Sequence, residues 1–149
     1  MVKKQTKEPD KRTRQMYNDL GYHVVKVEAF LYIPGMAQQH RRDFLGIFDY
    51  LAFNNKEIIG IQTTTKNNMG ARRKKMLSSK SFSWWTNGGR RSILHGWFKN
   101  KSNRWDVEEE ELTMDEWTAF QERTRKECKD ANHKESALYK ELSGVHGEF

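Results

Sequence analysis

The sequence predicts an α/β (α+β) domain, a central sheet with helices packed on it. Two observations predict it. Three β-rich runs follow a helical segment, and a terminal strand pair comes after a basic helix. An amphipathic helix then closes the ordered part. The first helix is read from Asp10, where "DKRTRQMYNDLGY" offers Asp10 as cap, Met16 and Leu20 four apart, and Gly21 as stop. "YHVVKVEAF" (22–30) alternates and is β-branched, so it reads as a strand. Residues 31–43 hold Pro34-Gly35 and no clear period, and read as a loop. "FLGIFDYLAF" (44–53) and "EIIGIQTTT" (57–65) read as strands joined by a turn at Asn54-Asn55-Lys56.

Further along, 68–79 reads as a helix capped by Asn67 or Asn68, and 82–89 as a short helical turn ending at Gly88-Gly89. The pair 90–100 and 104–113 follows. Thr113 then caps a helix with Trp117 and Phe120 on one side. Residues 1–9 read as a flexible basic N-terminus, 10–127 as the folded domain and 128–149 as a polar, mobile tail.

Of the 149 residues, 36% are hydrophobic and 32% charged, which suits a soluble domain. No apolar run approaches the roughly 20 residues of a membrane span. The opening "MVKKQTKEPDKRTR" lacks the apolar run of a secretory signal. Cys128 is the one cysteine, so no disulfide forms within the chain, and a reducing, cytoplasmic setting is expected. The net charge of +7 suits a nucleic-acid partner, because lysines and arginines displace counterions from phosphates.

Four features carry candidate chemistry. Asp49 sits inside an apolar run, and Gln62 ends the next one thirteen residues later. Paired strands would set them side by side. With the backbone carbonyl of Thr63 they would form an oxygen-rich site for Mg²⁺. The other reading has Asp49 facing solvent on a half-exposed strand, with the threonines as ordinary β-formers. Glu28 and Asp43, at neighbouring strand ends, could add carboxylates or be exposed charges. "KNNMGARRKKM" opens a helix whose N-terminus offers free N–H groups to phosphate oxygens, and Lys66, Arg72, Arg73, Lys74 and Lys75 add positive charge. Trp84, Trp85 and Trp97 read as core or as base-stacking platforms. His95 reads as structural, and the acidic run Glu108–Glu111 as a solvated face or strand edge.

This order of helix, strand, Asp-bearing strand, strand ending in a short polar motif and basic helix resembles the PD-(D/E)xK nuclease superfamily. Residues 12–106 look most like its small phage-type members, described as Holliday-junction-resolvase-like or restriction-endonuclease-like. The resemblance implies a restriction-endonuclease-like central mixed sheet flanked by helices. It implies a metal-dependent DNA endonuclease, with branched or structured DNA as the expected substrate and Mg²⁺ or Mn²⁺ as cofactor. It also implies a homodimer acting in the cytoplasm, a host's for a phage protein. Carried over, Asp49 is the principal metal ligand, and Gln62 takes the place of the second carboxylate. Glu28 supplies an extra carboxylate, with Asp43 as fallback. Thr64 stands where the family's lysine normally lies, with Lys66 or Arg72 as substitutes. Arg41, Arg42, Asn68, Arg72, Arg73, Lys74 and Lys75 are the expected DNA contacts. The dimer interface is expected on the aromatics of 82–98 or on the hydrophobic side of 114–125. The second reading the departures imply is a nuclease-fold DNA-binding protein with impaired catalysis.

Overall fold

Helix α1 (Pro9–Asp19) lies on one face of a five-stranded mixed sheet in a computed structural model that describes residues 9–31, 34–35 and 40–143. The sheet order is β1 (His23–Lys26), β4 (Tyr50–Phe53), β5 (Ile58–Thr65), β6 (Arg91–Lys99), β7 (Trp105–Leu112). Neighbours are antiparallel except β5 and β6, which are parallel. A parallel pair needs a crossover. Here it is a 3₁₀ turn (Lys66–Asn68) followed by α2 (Met69–Leu77) and α3 (Lys80–Asn87), on the face opposite α1. Helix α4 (Met114–Ser143) covers α2 and α3.

Strand alternation sorts the core into two layers. On the α1 side Tyr17 packs with Val24, Tyr50, Ile59, Ile61 and Ile93. On the other side Phe48, Met76, Leu77, Phe82, Trp85 and Leu94 pack together, and Trp117 and Phe120 of α4 close the layer. Gly60 and Gly96 permit close approaches within this second layer. A Cβ at Gly60 would lie 2.7 Å from the Phe48 ring, and one at Gly96 would lie 2.1 Å from Met69 Sδ.

The α/β (α+β) class and the central mixed sheet with flanking helices match the sequence expectation. Several boundaries do not. Residues 44–53 are not one strand. Leu45 (φ 54°) and Gly46 (φ 74°) reverse the chain, Phe44 N donates to Phe48 O at 2.8 Å, and the strand begins only at Tyr50. The glycine tolerates that conformation, and buried Ile47 and Phe48 anchor the turn. The first strand ends at Lys26. Beyond it β2 (Ala29–Leu31) pairs with β3 (His40–Arg42) as a separate two-stranded sheet, where the sequence reads as a strand end and a loop.

Helix α4 does not end near residue 130 but runs on to Ser143. The run "CKDANHKESALYKELS" is rich in helix formers, and Gly144 is the first glycine after Thr113. Thr113 does cap α4. Its N–H donates to Glu116 Oε2 at 2.8 Å, and its Oγ1 accepts from Glu116 N at 3.4 Å, a capping box.

Candidate functional site

Asp49 is held by backbone on both sides. Its N–H donates to Ile61 O and its carbonyl accepts from Val27 N, both at 2.9 Å, so just ahead of β4 it joins the residue after β1 to the middle of β5. Tyr50 pairs with Ile61, so the residue before it lies opposite Gln62, as the hairpin reading expects. Asp49 is 8% exposed, and three polar atoms crowd one of its carboxylate oxygens. Gln62 Nε2 donates to Asp49 Oδ2 at 2.6 Å, Thr63 N–H donates to the same oxygen at 2.9 Å, and Thr63 Oγ1 lies 3.1 Å from it. Asp49 therefore does not face solvent. Burial pushes its carboxyl up to about 7, against the pull of the Thr63 N–H, and the nearby charges of Asp43 and Asp10 push the same way as burial.

The Thr63 hydroxyl also reaches Asp10 Oδ1, at 2.7 Å. It has one proton for two carboxylates, and the shorter contact assigns it to Asp10. Asp10 is thus no simple helix cap. It stands in the first turn of α1 and joins that helix to the end of β5. Lys26, on β1, sits 3.6 Å from Asp10 and 3.2 Å from Glu28, whose side chain is 7% exposed. The polar cluster therefore runs Glu28, Lys26, Asp10, Thr63, Asp49, Gln62. Glu28 enters it through Lys26. Asp43 pairs with Lys75 at 3.2 Å.

Two acceptors in this cluster bear on a cation. Gln62 Oε1 is buried and has no hydrogen-bond partner among the described residues. The Thr63 carbonyl receives a long 3.4 Å contact from Gln62 Nε2. Among the described residues there is no group of three or more His, Cys, Asp or Glu side chains able to hold a metal ion.

Thr64, which the sequence reading set in the place of an expected lysine, is buried at 8% exposure. Lys66 pairs with Glu108 at 2.8 Å and lies over the Phe98 ring. Arg73 is committed to Glu110 and Glu116 at 2.6 and 2.7 Å. Arg72 and Lys74 stay on the outer part of α2, and Asn68, which caps α2, makes no side-chain cap bond. Arg42 is exposed and borders an open groove of about 460 Å³ beside Val27 and Asp43. The side chain of Arg41 lies outside the described residues.

The acidic run lies on β7, the edge strand of the sheet, as the sequence reading expects, and its largely exposed carboxylates are paired. Glu108 takes Lys66, Glu110 takes Arg73, Glu111 takes Arg91 at 2.9 Å, and Glu109 takes His95 Nε2 at 2.7 Å. His95 is fully buried, and its Nδ1 lies 3.0 Å from Thr13 Oγ1, which accepts from Trp97 Nε1. That makes His95 a structural residue. Trp85 and Trp97 are core, and Trp84 is 66% exposed.

Sequence reasoning missed Asp10 and Lys26 as members of the cluster. Both were legible. Asp10 shares a helical stripe with buried Thr13 and Tyr17, and Lys26 shares a strand face with buried Val24. No family model, curated protein or solved structure matches this chain.

Proposed function

We propose that the protein is a metal-dependent DNA endonuclease of the PD-(D/E)xK type, acting on branched or structured DNA. One observation carries the reading. Asp49, buried and with its carboxyl raised to about 7, accepts from the Gln62 amide nitrogen, and the oxygen of that amide, Gln62 Oε1, is buried with no partner among the described residues. A divalent cation would relieve both, and an oxygen-only donor set suits Mg²⁺ or Mn²⁺. The helix–strand–strand–strand–helix–strand order, with β5 and β6 parallel across α2, supports the restriction-endonuclease-like arrangement.

Asp49, Gln62 and the Thr63 carbonyl would hold the ion, with Asp10 rather than Glu28 as the added carboxylate. A bound ion would polarise the scissile phosphate and acidify a water. Lys26, 41% exposed in its side chain, takes the place of the missing motif lysine beside the carboxylates and offsets charge developing on phosphate. Arg72 and Lys74 would contact backbone phosphates.

The test is cleavage of four-way junctions, flaps and plain duplex with Mg²⁺ or Mn²⁺. Asp49→Asn is expected to abolish cutting and keep DNA binding within a few-fold. A protein that cuts none of these substrates refutes the endonuclease. The second reading, a DNA-binding protein on this fold without catalysis, is favoured by buried, uncharged Thr64 and by Lys66 tied to Glu108. Calorimetry separates the two, since a tight Mn²⁺ site lost in Asp49→Ala belongs to the enzyme alone.

A further inference from the structure

The turn that joins β6 to β7 is basic. Lys99 ends β6, and Lys101 and Arg104 follow within the turn, all three exposed. Farther along β7 each of the four glutamates holds a cation. At the turn the balance reverses. Among the described residues no carboxylate pairs with Lys99, Lys101 or Arg104. Asp106, next along the chain, accepts at 2.8 Å from Val107 N.

The turn is held by its own hydrogen bonds. Asn100 Oδ1 accepts from Ser102 N and Arg104 N, each at 3.0 Å, and Asn100 N–H donates to Arg104 O at 2.8 Å. Asn103 takes a φ of 57°, which asparagine tolerates, and its Oδ1 accepts from Lys99 Nζ at 3.0 Å. A backbone fixed in this way gives up little freedom when a partner docks.

A fourth cation joins from α1. Arg12 lies over the Trp105 ring, 4.7 Å from Cζ to the ring centre, and Lys99 Nζ lies 5.8 Å from the same centre. Lys99 and Trp105 are partners across the strand pair, two residues on from Trp97 and Val107, so they share the α1 face with Trp97. Arg12 Nε and Trp105 Nε1 are buried and have no acceptor among the described residues. Both groups can only donate. The surface therefore offers positive charge and N–H donors without acceptors of its own, and its complement is an anion rich in oxygen.

Its position selects which anion. Thr63 pairs with His95, and Lys99 lies four residues beyond His95 on the same strand, so the turn begins roughly 14 Å from Thr63. That is about four base pairs of rise along one DNA strand. A ligand that reaches both places needs negative charge repeating along its length, as a nucleic-acid backbone has. We propose that the β6–β7 turn, with Arg12, grips the DNA backbone about four base pairs from the Asp49 cluster. The choice of DNA rests on the endonuclease reading.

The test uses the full chain in EDTA, so that binding is measured apart from cleavage. Anisotropy of a labelled four-way junction is followed across a salt series. Lys101→Gln/Arg104→Gln is expected to bind about tenfold more weakly and to lower the slope of log K against log salt by about 2, and Arg12→Met to lower it by about 1. Lys126→Gln/Lys129→Gln, on exposed α4, should keep the native affinity and slope. Circular dichroism and unfolding midpoints should match the native protein throughout. A native slope in the turn variant overturns the proposal. So does an equal loss in the α4 variant, or a native protein that binds anionic lipid vesicles and no DNA. A chain that binds DNA through the turn and cuts nothing fails as an endonuclease and leaves this surface standing. Full binding and cutting by the turn variant overturns the surface and leaves the endonuclease.

Discussion

Replacing Asp49 by asparagine should make the protein more stable at pH 8 while removing the principal ligand of the proposed metal site. The sign follows from the raised carboxyl. Asp49 titrates near 7 in the folded state against an ordinary 3.8, so between about pH 4 and 7 the folded chain holds a proton that the unfolded chain has lost. Stability therefore falls as pH rises through that window and levels off above 7. A difference of about 3 in pKa corresponds to about 4 kcal/mol, the most the charged form can cost. An asparagine side chain there can still accept from Thr63 N and carries no charge. Allowing for weaker bonds to a neutral acceptor, the gain at pH 8 should be about 2–4 kcal/mol, shrinking to within about 1 kcal/mol at pH 4. Urea unfolding at both pH values, with and without Mn²⁺, measures this. Mn²⁺ should stabilise the native protein at pH 8 and leave Asp49→Asn unmoved. A variant no more stable than the native protein at pH 8, or one that keeps the same slope between pH 4 and 7, would refute the buried-carboxylate reasoning.

Other outcomes follow from the same packing and charge arguments. Gly60→Ala forces a Cβ within 2.7 Å of the Phe48 ring and should cost about 1–3 kcal/mol in denaturant unfolding. Glu109 is held below the usual carboxylate value, chiefly by its bond to His95, so its contribution is present above the ordinary 4.5 and lost as pH falls through its lower folded value. Glu109→Gln should accordingly flatten the acid limb of the stability profile, read by thermal unfolding between pH 2 and 6. Lys26→Met should reduce DNA cleavage and leave duplex binding within a few-fold, as gel-shift titration alongside a cleavage assay would show. An equal loss of both would remove Lys26 from the site.

The hairpin between Tyr50 and Thr65 was legible because its two halves carry the patterning of paired strands around a short turn. Strand pairing thirteen residues apart then required Asp49 and Gln62 to meet. The terminal pair β6–β7, the basic helix and the capping box at Thr113 were legible for equally local reasons, since caps and alternation act over a few residues. The tight reversal at Leu45-Gly46 was not. Its residues are apolar, and only burial of Ile47 and Phe48 turns them into an anchor instead of a strand.

By itself, the sequence determined the layer architecture, the place of Asp49 opposite Gln62 and the absence of a charge at Thr64. Tertiary structure decided the company these residues keep. It carried Asp10 from the first turn of α1 to Thr63, 53 positions away, and set Lys26 beside it. It also tied the acidic run of β7 to Lys66, Arg73, Arg91 and His95, which commits Lys66 and Arg73, two of the residues the sequence reading expected at the site and on DNA, to ion pairs. Such pairings join elements distant in sequence. They are selected by which helix covers which face of the sheet, and no local pattern of apolar and polar residues encodes that choice.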